Sequence, residues 1–141
     1  MAKINLVRVF VGGLIAGVVI NIGEYIFNVM LFGQVMEDAM KNLGRPPLGN
    51  EAMAFYILLS FGLGIVMIWL YAAIRPRFGP GPATAVCAGL VVWALAYLYS
   101  STGMLPLKLF PRRLLFWGTV WGFFELPIAA VIGAWIYKEE A

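Results

Sequence analysis

The chain is 141 residues long, 62% hydrophobic and only 12% charged, and its ten Lys and Arg against seven Asp and Glu give a net charge of +3. With a mean hydropathy of +0.89, that composition excludes an ordinary water-soluble domain and makes lipid the expected solvent and partner. The charges stand in pairs at the ends of apolar runs, not in a basic stripe, which points to membrane-edge anchoring and away from nucleic acid.

Histidine is absent and Cys87 is the only cysteine. His-ligated haem, His-containing zinc sites, Ser-His and Cys-His catalysis and internal disulfides are therefore excluded, and no cofactor is expected. Cys87 itself reads as a small buried hydrophobe inside an apolar run.

Taken in chain order, the first apolar run covers residues 6–32 behind Lys3 and Arg8. It is too long for a signal-peptide core, which covers about 7 to 15 residues, and reads as an uncleaved span. Residues 33–52 form the only substantial loop. Val35, Met36, Ala39, Met40 and Leu43 recur there at helical spacing opposite Glu37, Asp38 and Lys41, and Gly44 with Pro46-Pro47 closes the pattern. One or two turns of amphipathic surface helix are expected, as a membrane anchor or as a lid over a pocket.

The second span covers 53–74, stopped by Arg75-Pro76-Arg77, where charge and helix breaker coincide. Gly79-Pro80-Gly81-Pro82 makes a short turn, so the third span, 83–104, returns antiparallel beside the second. After Pro106 and Pro111 the fourth span covers about 114–137, and Lys138-Glu139-Glu140 follow immediately outside the lipid. The expected fold is an all-α bundle of four transmembrane helices in one domain, with both termini on one side. Five basic residues flank the spans on each side, so orientation rests on the first span's flank, which favours a cytoplasmic N-terminus.

The spans also hint at a duplication into two helical hairpins. At an offset of 72 the first span lays Ala16-Gly17 on Ala88-Gly89 and Tyr25 on Tyr97; at 66 the second lays Trp69-Leu70-Tyr71 on Trp135-Ile136-Tyr137. Any central site would then lie where the copies meet.

Asn21, Glu24 and Asn28 fall at i, i+3 and i+7 and share one face of the first span. In the fourth, Gly118, Gly122, Glu125, Ala129 and Gly133 make a row of small residues broken by a carboxylate. At the helical rise, Glu24 sits about 12 Å and Glu125 about 16 Å below the loop-side surface, close enough to meet. Tyr56, Ser60, Tyr97 and Ser100 fall at similar heights, and Trp93 and Trp121 lie deep enough to line a cavity.

No Lys or Arg lies within a span to neutralise either acid, and intramembrane carboxyls are costly unless they serve a purpose. Pro127 frees a backbone carbonyl near Phe123, beside Glu125. The expected ligand-binding set is Glu24, Glu125, Asn21, Asn28, Tyr97, Ser60, Ser100 and Trp121, around a small, largely apolar molecule.

The other readings are interhelical glue, an accessory subunit docking on other membrane proteins through its small-residue faces, and a lipid-modifying enzyme, for which nucleophile, metal site and phosphate loop are lacking. Gly13-x-x-x-Gly17, Gly118-x-x-x-Gly122 and Ala129-x-x-x-Gly133 serve either a homodimer or packing within the bundle.

Three stretches carry a resemblance: Gly12-Gly13-Leu14-Ile15-Ala16-Gly17 with Asn21 and Glu24, residues 69–81 from Trp69-Leu70-Tyr71 to Gly79-Pro80-Gly81, and Trp121-Gly122 with Glu125 and Pro127. Over most of its length the chain resembles a group of uncharacterised bacterial four-span integral membrane proteins, a domain of unknown function. The resemblance implies the same fold and a bacterial inner membrane. It carries over no functional residue.

Overall fold

The computed structural model describes residues 3–138, so Glu139 and Glu140 lie outside the described residues. The described residues form an all-α bundle: α1 (Leu6–Leu31), α2 (Gly33–Asn42), α3 (Asn50–Phe78), α4 (Pro82–Leu107) and α5 (Arg112–Ala134). All but α2 are long and apolar enough to cross a membrane, and only 28–33% of each one's most apolar window is buried. The remainder presents residues such as Phe55, Leu58, Leu95 and Phe124 outward. Helices hydrophobic on every side are stable only against lipid, so this is a multi-pass membrane protein.

Around the ring α1 packs on α3 and α5, and α4 packs on α5 and α3, leaving α1 and α4 across from each other. At the end of the bundle where the chain begins, glycines bring backbones into contact. A Cβ on Gly133 would stand 2.6 Å from the carbonyl oxygen of Gly12, one on Gly13 would meet the backbone nitrogen of Ile65 at 2.9 Å, and one on Gly89 the Cα of Pro127 at 2.7 Å. The Gly13 and Gly17 row is therefore filled by Ile65 and Phe61 of α3. Lipid tails are as apolar as these side chains, so dispersion across close backbones, rather than exclusion of water, holds this half together. Ile20, Met67, Ile68 and Leu126 fill its centre and are fully buried.

The described chain ends are tied at the same end. Asn5 caps α1 by accepting from the Arg8 amide at 3.1 Å, and its own amide donates to the Tyr137 hydroxyl at 3.2 Å. Arg8 donates to the Ile136 carbonyl at 3.0 Å, and Tyr137 packs edge-on against Tyr71 with centroids 5.9 Å apart. Tyr137→Phe is expected to remove one hydrogen bond and cost about 1 kcal/mol, read as a slightly lower melting temperature in detergent with helix content unchanged.

The opposite, loop-side half is looser. Residues 53–59 of α3 are all exposed.

Several boundaries differ from expectation. α3 does not stop at Ile74 but runs through Arg75-Pro76-Arg77 to Phe78. A proline in the last turn forfeits a single backbone bond, the two cations suit the helix C-terminus, and Gly79, at φ 87°, closes it by donating to the Arg75 carbonyl at 2.8 Å. α5 ends at Ala134, not Tyr137, because the chain turns there to tuck Tyr137 under Tyr71. α2 is ten residues, nearly three turns, longer than expected, with Ala39 buried. Cys87 is exposed on the outer face, because Ala85, Ala88 and Gly89 take the inward positions of α4.

Two of the long helices are not α throughout. α1 becomes π-helical over Ile26–Leu31, immediately after Glu24 and Tyr25, and α4 over Ala94–Tyr99, the segment that carries Tyr97. Such wide turns often accompany functional sites because they re-aim side chains.

Candidate functional site

Where the packed half gives way to the open half, α1, α4 and α5 direct polar groups at one another. Glu24 is the hub. Its Oε1 accepts from the Tyr97 hydroxyl at 2.5 Å, and its Oε2 accepts from Asn28 Nδ2 at 2.7 Å; the same Asn28 group also donates to the Glu24 carbonyl at 3.0 Å. The Tyr97 bond is what joins α1 to α4 across the ring. Tyr97 can reach inward because its ring lies on Gly122 of α5, where a Cβ would stand 2.7 Å from it.

Glu125 faces this hub from α5, with the side chains of Glu24, Trp121 and Tyr97 as its polar neighbours. Its carboxyl lies against Gly23, where an added Cβ would be 2.8 Å from Oε2. Glu125 is only 7% exposed, and its oxygens make no close hydrogen bond, although the Trp121 indole, the Tyr97 hydroxyl and the Glu24 carboxyl are its hydrogen-bonding neighbours. Trp121 Nε1 is likewise buried without a close hydrogen bond. A carboxyl that faces an indole, a phenol and a second carboxyl makes a compact polar cluster inside the spans, and intramembrane carboxyls of this kind are candidates for function.

A cleft of about 250 Å³ opens beside the hub toward the loop side. Glu24, Asn28, Tyr97 and Trp121 supply its polar part; Phe27, Met36, Ser101, Met104, Phe110, Leu114, Leu115 and Gly118 complete its lining. Glu125 stands outside that lining. Phe27 and Trp121 form one wall, their ring centroids 5.7 Å apart, and Met36 of α2 reaches the mouth. Near the mouth the Arg113 guanidinium lies over the Phe32 ring at 5.8 Å.

Of the residues expected here, the structure brings Glu24, Glu125, Asn28, Tyr97 and Trp121 together and leaves three apart. Asn21 turns to α3: its Nδ2 donates to the Gly17 carbonyl at 2.9 Å and to the Ile57 carbonyl at 3.4 Å. The π-turn that begins at Ile26 breaks the helical phase between Asn21 and Asn28, so sequence spacing no longer places them on one face. Ser100 is exposed and returns its hydroxyl to the Leu95 carbonyl at 3.3 Å, a local bond that the wide turn of α4 invites. Ser60 lies on α3 outside the cleft lining, and Tyr56 is exposed. Trp93 lies outside the cleft lining; its indole donates to the Thr119 carbonyl at 2.8 Å and ties α4 to α5.

Sequence reasoning missed the apolar lining and the role of Gly23. A glycine directly before an intramembrane glutamate was the available signal, since it makes room for a second carboxyl. Comparison with family models, with curated proteins and with solved structures found no match to this chain.

Proposed function

We propose that the protein is a non-enzymatic membrane receptor or permeation module that holds one small, largely apolar molecule in the cleft bounded by Glu24, Asn28, Tyr97 and Trp121. The observation that carries this reading is the aromatic-walled cleft lined by Glu24, Asn28, Tyr97 and Trp121 inside an otherwise apolar bundle.

The test uses indole, an apolar ring with one N–H donor, in equilibrium dialysis against the protein in lipid nanodiscs. One saturable equivalent per chain is expected, and Gly118→Leu is expected to abolish it. A Cβ at Gly118 meets only the Phe27 ring, at 3.6 Å, so that variant fills the cleft without disturbing backbone. Equal, non-saturable uptake by both proteins would remove the reading.

A docking subunit of a larger membrane complex is the second reading, favoured by the exposed stretch of α3 and the wholly apolar groove that Leu58 and Phe61 form with Leu14, Ile15 and Val18. A defined larger assembly on purification in mild detergent would support it.

We also infer a cytoplasmic N-terminus, on the charges flanking α1, and a bacterial inner-membrane location, on the resemblance alone. An origin in two copies of one hairpin is supported by packing: Gly17 lies on Phe61 as Gly89 lies on Pro127, and offsets of 72 and 66 relate these pairs.

A further inference from the structure

We infer that α2 is a hinged lid, docked over the cleft mouth when a guest is held and laid back on the lipid surface when the cleft opens. The inference rests on the binding reading above and adds the way in.

The two faces of α2 differ in kind. Val35, Met36, Ala39 and Met40 turn inward, with Ala39 only 3% exposed, while Gln34, Glu37, Asp38 and Lys41 face out. The polar groups pair within the helix: Lys41 lies 3.6 Å from Glu37, and Gln34 donates to Asp38 at 3.0 Å. Among the described residues no side-chain hydrogen bond or ion pair joins α2 to a spanning helix. Apolar contact alone seats it, and Met36 carries that face into the cleft lining beside Phe110, Leu114 and Leu115.

Both ends of α2 suit a swing. Phe32, at φ −120° and ψ 15°, is the single non-helical residue between α1 and α2. Its ring stacks on Phe27 at 4.7 Å and lies under the Arg113 guanidinium, so the pivot is fixed to the bundle while the helix beyond it is not. Past Asn42, residues 43–50 are all exposed and include Gly44 at φ 68°, Pro46-Pro47 and Gly49.

The other cleft walls belong to α1, α4 and α5, which meet backbone to backbone through Gly12, Gly133 and Gly89. Moving any of them breaks that packing, whereas lifting α2 undoes the contacts of a few side chains, and elements with few buried contacts are the ones that open. The lifted helix keeps an apolar environment, because an amphipathic helix buries its apolar face at the headgroup boundary. A guest beneath Met36 adds contact to the docked seat alone and so draws α2 down.

The experiment measures the labelling rate of Ala39→Cys, in a Cys87→Ala background, by a membrane-impermeant thiosulfonate in lipid nanodiscs. At ten times the indole dissociation constant the rate is expected to fall about tenfold, since the guest binds the closed form. Lys41→Cys, on the outward face, is expected to react faster and equally with or without indole. Ala134→Cys, buried at the far end of the bundle, reports global unfolding. Should Ala39→Cys fold poorly, Met40→Cys replaces it on the same face. Labelling at the inward position that indole leaves unchanged, fast or slow, overturns the lid and leaves the cleft reading standing, as does equal slowing at Ala134→Cys. Absence of saturable indole binding sensitive to Gly118→Leu overturns both.

Discussion

Replacing Glu125 by methionine is expected to raise the melting temperature of the protein in detergent while weakening its binding of indole. Methionine approximates the length of glutamate, keeps a flexible chain against Gly23, and removes a buried carboxyl whose oxygens make no close hydrogen bond. An unsatisfied buried polar group costs about 1–3 kcal/mol, so a stabilisation on that order is expected, seen as a rise of several degrees. A gain in stability bought with a loss of binding is the pattern of a residue kept for function. The opposite result, a less stable protein that binds as before, would identify Glu125 as structural glue and end the proposal. Glu24→Met is expected to behave differently. That carboxyl accepts from Tyr97 and Asn28, so its removal strands two donors and lowers stability.

The second large effect is expected on α3, where two glycines only two positions apart should respond oppositely to alanine. A Cβ on Gly64 would stand 2.7 Å from the backbone nitrogen of Gly17 and 3.1 Å from its Cα, whereas one on Gly62 meets nothing within 4 Å. Gly64→Ala must push α1 and α3 apart, because the obstacle is backbone and cannot rotate away. Overpacking of that kind costs about 1–3 kcal/mol or more, and the added separation weakens every dispersion contact along the pair. Gly62→Ala faces outward and is expected to be neutral or slightly stabilising, since alanine is the better helix former. Unfolding in mixed micelles by a denaturing detergent, followed by helical circular dichroism, separates the two. Equal transitions would mean that the α1–α3 seam is not held by backbone contact.

Much of this architecture was legible in the residues. Four apolar runs with breakers between them admit one topology, and counting the helical rise was enough to bring Glu24 and Glu125 to one height. Boundaries were less legible, because Arg75-Pro76-Arg77 reads as a stop although a proline in a final turn loses little. The π-turns left no trace in composition, yet they decide which way Asn28 and Tyr97 point. Asn21 was misplaced for that reason: polarity on a helix face does not say which neighbour the face meets. The apolar lining of the cleft was illegible as well, since Phe27 and Phe110 look like any lipid-facing ring until the fold turns them inward.

The contrast between the two halves of the bundle bears on how a guest moves. On the loop side, Met36 of α2 and Phe110 border the mouth. On the other side, Gly12 and Gly133 meet backbone to backbone, with Ile68 and Leu126 sealed nearby, and no rotamer change opens such a seam. On the proposed reading, a molecule in the cleft would exchange with a single face of the membrane. Through-passage would require whole helices to part, which makes this architecture a one-sided socket at rest and assigns any crossing of the bilayer to a rarer, larger rearrangement.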